Sequence, residues 1–343
     1  MKHVNIPIFI PHLGCPNDCV FCNQRKITNT PEFNADSIIP EIEAVLATTQ
    51  GAQREIAFFG GSFTGIDRQL MIKLLEIGHG YVKNGDVASL RCSTRPDYIN
   101  GEILDILSFY GMTTVELGIQ STDDKVLKLC KRGHTAHDSV SAMKAVKQRG
   151  FKLIGQMMTS LPGASLDSEI KTANDICACK ADGARIYPTV VFKETALAEM
   201  TKNGEYVPPS HEETVSRAKE VKKIFIKNNV PVIRLGLQAQ DNLTDEGDIF
   251  AGFYDPSIGL SADSAIYLEK IEKELEKYTS DTLKNSFVTV YVSKKHTSQA
   301  VGIRCENKEK LCEKYGLYRL KVMEDESIIP YEINVKVVPD TRR

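Results

Sequence analysis

Short apolar runs alternate with longer amphipathic stretches along the first two thirds of the chain. Seven runs of four to six residues are typical of buried strands, namely Ile6–Ile10, Glu55–Phe59, Ser89–Cys92, Thr114–Leu117, Lys152–Met157, Gly183–Tyr187 and Pro231–Leu235. Between them, apolar residues recur every three or four positions, which predicts helices. These stretches are Ser37–Ala47, Arg68–Gly78, Gly101–Leu107, Asp123–Lys131, Ala136–Arg149, Ser165–Cys179 and Glu212–Lys227.

Repeated strand-then-helix units predict parallel strand pairing with right-handed crossovers. Six or seven such units indicate an α/β fold, specifically a partial (β/α)6 TIM-like barrel. Its active site is expected at the carboxyl ends of the strands. A doubly wound open sheet is the alternative.

The rhythm changes after about residue 240, where a small α+β extension is predicted. Helices are expected at Ser261–Tyr278 and Glu306–Tyr315, and strands at Phe287–Val292, Tyr318–Val322 and Tyr331–Val337. We therefore predict a barrel domain over residues 1–240 and a small C-terminal extension over residues 241–343.

Composition narrows the class of protein. The chain has 343 residues, 42% of them apolar, and a net charge of −2, so its bulk charge does not favour polyanions. It contains no apolar run of about 18 residues, and its N-terminus, interrupted by Pro7 and Pro11, is expected to form a buried strand rather than a signal peptide. Nine cysteines without an export signal predict free thiols in the cytoplasm, and no membrane partner.

The segment GCPNDCVFCN places Cys15, Cys19 and Cys22 close together in a polar loop. Tetrahedral zinc takes four ligands, so zinc would need His12 as a fourth donor. Three thiolates without a fourth suit a [4Fe–4S] cluster better, because one iron is then open to a small molecule. Buried thiols without metal are the third alternative.

The spacing C-x-x-x-C-x-aromatic-C, with Phe21 at the aromatic position, resembles the motif of radical S-adenosylmethionine (SAM) enzymes. The resemblance implies a [4Fe–4S] cluster whose open iron chelates the amino and carboxylate groups of SAM. It also implies reductive cleavage of SAM to a 5′-deoxyadenosyl radical, and an electron donor such as flavodoxin or ferredoxin.

FFGGSFTG, residues 58–65, follows the second predicted strand. Glycine lets a backbone approach a ligand closely, although a tight turn would use the same residues. The segment resembles the superfamily's glycine motif, which assigns the binding of the SAM amino group to Gly60 and Gly61. Ser62 departs from many members, so a side-chain contact from it is not assigned.

Four further segments carry a more specific resemblance. They are CSTRPDYI (92–99), VELGIQSTDDKVLKLCKRGHT (115–135), LIGQMMTSLPGAS (153–165) and GARIYPTVVFKETAL (183–197). Their order resembles the radical domain of the catalytic subunit of Elongator, a tRNA wobble-uridine modifying enzyme.

The related oxygen-independent coproporphyrinogen oxidases imply further SAM contacts. A glutamine and an arginine at matching spacing assign SAM binding to Gln120 and Arg132. The family's ribose-binding glutamate is matched here by Ser93, and its aspartate on the fifth strand by Gln156. Arg132 has an alternative role as a surface arginine at a helix C-terminus, and His134 is expected to be a surface or capping residue.

Glu116, Arg185 and Tyr187 are expected to point into the barrel. A buried carboxylate or guanidinium needs a partner, so Glu116 and Arg185 are candidates for an ion pair. A structural pair and a catalytic role are both open. Tyr187 is a candidate relay for an electron or a hydrogen atom, with simple packing as the alternative.

The substrate is left open by the sequence. The chain shows no Gly-rich loop for acetyl-coenzyme A in its last hundred residues, so the acetyltransferase chemistry of Elongator is not expected. RNA, tRNA above all, is favoured by the resemblance and by the basic stretches Lys294–His296 and NVKVVPDTRR. A small molecule or a peptide is the other substrate class, and a non-enzymatic metal-binding protein is the rival from another class.

Overall fold

The computed structural model describes residues 3–10, 15, 19–22, 33–238 and 247–339. The chain divides into two compact units. The first comprises Met1–Ser210, Ile224–Leu235 and Ala239–Phe253, and the second comprises His211–Lys223, Gly236–Gln238 and Tyr254–Arg343. The boundary after residue 240 stays a prediction about domains.

The described strands are β1 (His3–Ile10), β2 (Gln53–Gly60), β3 (Ser89–Thr94), β4 (Met112–Gln120), β5 (Lys152–Thr159), β6 (Gly183–Pro188), β7 (Val191–Phe192), β8 (Val232–Leu235), β9 (Ile249–Ala251), β10 (Phe287–Val292), β11 (Arg319–Glu324) and β12 (Ile333–Val338). The α-helices are α1 (Ile38–Thr48), α2 (Arg68–Lys83), α3 (Gly101–Phe109), α4 (Asp124–Leu129), α5 (Ala136–Gln148), α6 (Leu166–Ala178), α7 (Ala196–Lys202), α8 (His211–Lys227), α9 (Ile258–Leu275), α10 (Ser280–Leu283), α11 (Thr297–Val301) and α12 (Glu306–Tyr315).

The first unit is built on a seven-stranded sheet in the order β1-β2-β3-β4-β5-β6-β8. Each neighbouring pair is parallel. A doubly wound sheet reverses its strand order at a switch point, whereas this order follows the chain and leaves β1 and β8 as free edges. The fold is therefore the predicted incomplete barrel, with β8 as a seventh strand.

Side-chain caps fix where the helices begin. The Asp67 carboxylate accepts hydrogen bonds from the backbone N–H groups of Gln69 and Leu70, which starts α2. Thr135 and Asp138 form a reciprocal capping box at the start of α5. These bonds satisfy N–H groups that have no partner within the helix, so local sequence sets the position of the element.

The first strand, predicted to be a buried strand, is buried on one of its two faces. Ile6, Ile8 and Ile10 are buried, but Phe9 is 68% exposed. Among the residues that the structure describes, β1 is an edge strand that pairs with β2, and its alternate side chains face the inner side of the sheet.

The second unit contains the predicted small α+β extension. Its three-stranded sheet has the order β11-β10-β12, with β11 parallel and β12 antiparallel to β10. One face of the sheet packs against α9 through a core that includes Val288, Val290, Tyr267 and Ile271. Elsewhere, no helix in the described ranges is both long and apolar enough to cross a membrane.

Candidate active site

The cysteine segment is held in place by backbone hydrogen bonds and by apolar packing. The Cys22 N–H donates to the Cys19 carbonyl at 2.9 Å, which makes a turn. Val20 between them donates to the Cys130 carbonyl at 3.2 Å and accepts from the Leu197 N–H at 2.8 Å. Val20 is also buried in an apolar cluster against which Phe21 packs. The segment is therefore anchored where the chain follows β4 and β7.

The Cys19 sulfur lies between two guanidinium groups. Arg132 Nη1 is 3.3 Å from Cys19 Sγ, and Arg95 Nη1 is 4.0 Å from it. All three residues are buried. Two positively charged groups therefore face the sulfur of a candidate metal ligand.

Arg132 is buried, so its alternative role as a surface arginine is wrong. Its Nη2 donates to the Gly118 carbonyl at 2.6 Å, and its Nε donates to His134 Nε2 at 3.3 Å. The expectation that His134 is a surface residue is wrong too, because His134 is buried beside this guanidinium. Burial, and then the nearby Arg132 charge, lower the pKa of His134 to about 4, so its ring is neutral and can accept the bond.

Arg95 was not singled out by the sequence analysis. Its guanidinium binds the Asp97 carboxylate through two nitrogens, at 3.0 and 2.8 Å, and also donates to the Arg132 carbonyl. The signal available in the sequence was the arginine of CSTRPDYI, which directly follows a buried strand. Sequence alone did not show that this side chain turns back toward Cys19.

Cys15 also lies near Arg95 and Arg132, and it is more exposed than Cys19. Burial raises the pKa of its thiol to about 11, and the charges of Arg95 and Arg132 oppose that rise. Cys15 is therefore protonated near neutral pH in the metal-free chain.

Gly60 ends β2 at a point of close backbone contact. Its φ is +126°, and a Cβ placed there would lie 2.0 Å from the Ile10 carbonyl oxygen. Only glycine fits such a position. The neighbouring Ser62 hydroxyl is engaged with Thr94 Oγ1 at 2.8 Å and accepts from the Arg95 N–H at 3.2 Å. This bonding gives Ser62 a structural role.

Gln120 lies at the carboxyl end of β4, beside a register irregularity at Gly118. Its φ of 64° is unusual for a residue other than glycine. Its Oε1 is buried and has no hydrogen-bond partner among the residues that the structure describes. A Cβ on Gly118 would lie 3.2 Å from the Gln120 amide nitrogen and 3.5 Å from Arg132 Nη2, so glycine leaves room for both groups.

Glu116 lies on the inner face of the sheet, where it binds two arginines. Arg185 donates through Nε at 2.8 Å and through Nη2 at 3.1 Å, and Arg91 donates through Nη1 at 2.8 Å. Burial by itself would raise the pKa of Glu116, but the bonds and charges of Arg185 and Arg91 hold it below its usual value. Glu116 is thus ionised, and its predicted pairing with Arg185 is present.

Ser93, Gln156 and Tyr187 join the same inner network. Gln156 Nε2 donates to Glu116 Oε2 at 2.7 Å and to Ser93 Oγ at 3.4 Å. Burial raises the pKa of Tyr187, and Arg185 opposes that rise through its charge and a hydrogen bond. These residues are therefore brought together, whereas Gln120 and Arg132 belong to the group around Cys19.

Two members of the inner network were missed by sequence reasoning. Arg91 Nε donates to Glu55 Oε2 at 2.7 Å, which extends the chain of charges from β4 to β2. The signal available in the sequence was a charged residue inside a strand that faces the core, and this pattern recurs in β2, β3, β4 and β6. Period-two alternation would have placed all four charges on one face.

No three cysteine, histidine or carboxylate side chains of the described ranges converge on a single-ion site. Zinc needs all its sulfurs about 2.3 Å from one ion, whereas a cluster distributes cysteines over separate irons. His12, the predicted fourth zinc ligand, lies outside the described residues.

Known protein families and curated proteins match this chain in sequence. Residues 9–176 match the radical SAM superfamily, and residues 181–277 match the radical SAM C-terminal domain. An uncharacterized protein of Methanocaldococcus jannaschii is 32% identical over 219 residues, which cover 60% of this chain and 66% of the relative.

The tRNA uridine(34) acetyltransferase of Methanocaldococcus infernus is 35% identical over 153 residues, which cover 42% of this chain and 29% of that protein. The chain thus spans about two thirds of the first relative's length and less than a third of the second's.

Among solved structures, the archaeal Elp3 of Methanocaldococcus infernus with a deleted N-terminus matches with a TM-score of 0.57 and 23% identity. The match covers 80% of this chain and 63% of that one. At this identity the match shows the fold alone. The two family matches together cover most of the chain, and they agree with its incomplete parallel barrel and with the three cysteines after β1. The chain therefore belongs to the radical SAM superfamily and is a radical SAM enzyme.

Proposed function

We propose that this enzyme cleaves SAM reductively at a [4Fe–4S] cluster, to give a 5′-deoxyadenosyl radical that acts on an RNA, with tRNA as the leading substrate. The proposal of SAM cleavage at a cluster is supported above all by the buried Cys19 sulfur, which lies close to both Arg95 and Arg132. Cys15, Cys19 and Cys22 would hold the cluster.

The residues present fit this group on three counts. The donor set is three cysteines, one of them beside two cations. Gly60 gives a backbone approach that any side chain would block. Within the described part of the chain the buried Gln120 Oε1 has no partner, and a buried amide oxygen without a donor costs about 1–3 kcal/mol. Bound SAM, through an amino or hydroxyl group, would supply the missing donor.

Each remaining residue has a role that follows from its contacts. Phe21 packs the cysteine segment against the apolar cluster. Arg132 orders the Gly118 carbonyl beside Gln120, and its proposed contact with the SAM carboxylate is compatible with that position. Ser93 and Gln156 would face the ribose from the inner network, and Gly61 would extend the approach made by Gly60.

Glu116 is a positioning residue in this proposal, because it is ionised and holds Arg185 beside Tyr187. Tyr187, whose pKa is raised, keeps its phenolic proton near neutral pH. It is therefore suited to give up a hydrogen atom within the barrel rather than to act as a base.

The RNA part rests on relatives that are named as tRNA uridine(34) acetyltransferases. A small molecule or a peptide is the rival substrate. We also propose that the enzyme works in the reducing cytoplasm with a flavodoxin- or ferredoxin-type donor, which suits its nine free cysteines.

The test is the yield of 5′-deoxyadenosine from the reconstituted full chain under anaerobic dithionite. Bulk tRNA is added in one arm, nuclease-digested tRNA in a second and a protein-free metabolite extract in a third. Intact tRNA is expected to raise the yield several-fold over the digested sample. Stimulation by the extract with none by tRNA would end the RNA proposal and leave radical generation standing.

A further inference from the structure

The three-stranded sheet of the second unit has one buried and one open face. Val288, Val290 and Leu320 point into the core beneath the sheet. Because side chains alternate along a strand, the intervening positions lie on the opposite face. Pairing of the strands places nine side chains there in three rows: Phe287, Arg319 and Val338; Thr289, Lys321 and Lys336; Tyr291, Met323 and Asn334. We call these nine residues the open face.

The open face carries positive charge only. Arg319, Lys321 and Lys336 are exposed, and no acidic residue is among the nine. None of the three forms an ion pair with any residue in the described ranges. Over the whole chain, 45 acidic residues outnumber 43 basic ones. A purely cationic sheet face is therefore a local departure from the rest of the molecule.

Exposed aromatic rings accompany these charges. Phe287 is 41% exposed, and its ring lies 4.7 Å from that of Tyr318, which is 64% exposed. Tyr291 follows Phe287 on the same face, two rows along β10. Exposed rings leave apolar surface in water without stabilising the fold, so the pattern indicates a partner.

We infer that the open face, together with the adjoining Tyr318 ring, binds single-stranded RNA. Bases would stack on Phe287, Tyr318 and Tyr291, and phosphates would pair with Arg319, Lys321 and Lys336. Flat rings stack on any base, and cations along a groove or sheet follow a phosphate backbone. An acidic protein would match the charges but leave the rings unused. The inference deepens the proposed RNA substrate and rests on that part of the proposed function.

The basic tail noted in the sequence takes part in this surface through Lys336. The other basic stretch does not, because Lys294 pairs with Glu326 at 3.1 Å. The structure thus separates two lysine-rich segments that looked equivalent in the sequence.

Binding of a fluorescein-labelled, unstructured RNA of about 12 nucleotides to the full chain is measured by fluorescence anisotropy. No cluster is needed for this measurement. Phe287→Ala is expected to weaken binding by about 5- to 150-fold, because it removes a stacking platform. Tyr278→Ala is the matched control, since Tyr278 is 38% exposed, close to the 41% of Phe287, but lies off the open face.

The salt dependence provides a second signature that does not depend on Phe287. The double variant Lys321→Ala/Lys336→Ala is expected to make the slope of log K against log salt shallower by about 1.4, at about 0.7 per phosphate contact. Lys277→Ala/Lys310→Ala removes the same charge from the turn after α9 and from α12, and it is expected to leave the slope unchanged. Phe287→Ala is expected to weaken binding without altering the slope.

Each outcome decides the inference. The inference is supported if Phe287→Ala weakens RNA binding, if Lys321→Ala/Lys336→Ala makes the salt slope shallower, and if both control variants behave like the wild type. RNA binding that the open-face variants leave intact overturns it, while the RNA substrate stands. Stronger binding to vesicles of equal parts phosphatidylcholine and phosphatidylserine than to RNA also overturns it. The yield of deoxyadenosine without RNA is expected to be unchanged in all variants. This measurement therefore distinguishes a failure of radical generation from a failure of RNA binding.

Discussion

The inner face of the seven-stranded sheet and the open face of the three-stranded sheet both carry cations, in opposite circumstances. On the inner face, Arg91 and Arg185 are mostly buried, and each binds the Glu116 carboxylate. On the open face, Lys321 and Lys336 are exposed and have no acidic neighbour in their rows. Both faces lie opposite an apolar core, so the difference is one of charge balance.

Charge balance decides what each face can do. Removing charged groups from water is costly, and mutual pairing in good geometry offsets that cost. The inner charges are therefore committed to one another and hold side chains such as Gln156 in place. The exposed lysines stay hydrated and remain open to an external anion.

The largest expected effect comes from removing the acid at the centre of the inner network. Glu116→Gln leaves Arg185 without its carboxylate in a buried site and is expected to cost about 3–5 kcal/mol of unfolding free energy. Urea denaturation measures this. The control is Asp105→Asn, in the exposed pair with Arg149, where a loss below about 1 kcal/mol is expected. Equal, small losses in both variants would erase the contrast between the two faces.

Acid titration gives a smaller effect on the same network. The pKa of Glu116 is lowered in the folded chain, so its contribution is fully present above its unfolded pKa, about 4.3. That contribution is lost as pH falls through the lower folded pKa. Below about pH 4.3, the stability of the wild type is therefore expected to fall more steeply with pH than that of Glu116→Gln. Parallel curves for the two proteins would show that the carboxylate gains nothing from its arginines.

The smallest expected effect on stability belongs to the open face. Lys321→Ala/Lys336→Ala removes two exposed, unpaired charges and is expected to change the unfolding free energy by no more than about 0.5 kcal/mol. Thermal unfolding checks this in the samples used for RNA binding. A loss above about 1 kcal/mol would mean that the fold itself uses these lysines.

The fold was largely predictable because local patterns encode it. All seven apolar runs are strands of the parallel sheet, and Phe287–Val292 and Glu306–Tyr315 have the predicted bounds. The two-stranded pair β7–β9 was missed, because runs of two or three residues carry no periodicity. Burial of β1 was overestimated because an edge position is a property of the whole sheet.

Part of the site was predictable from short motifs, and the pairing of Glu116 with Arg185 was predictable because a buried charge needs a partner. The cysteines and glycines follow such motifs. The approach of Arg95 to Cys19 joins residues 76 positions apart, and the burial of His134 depends on the side chain of Arg132. Pairings of this kind are set by tertiary packing, and sequence spacing does not contain them.

Formation of 5′-deoxyadenosine tests the central claim most directly. The chain is reconstituted anaerobically with iron and sulfide, reduced with dithionite and given SAM without RNA, beside the Cys19→Ala variant. The account predicts deoxyadenosine from the wild type and none above background from the variant. No deoxyadenosine from a wild-type chain that carries a single zinc ion would contradict it.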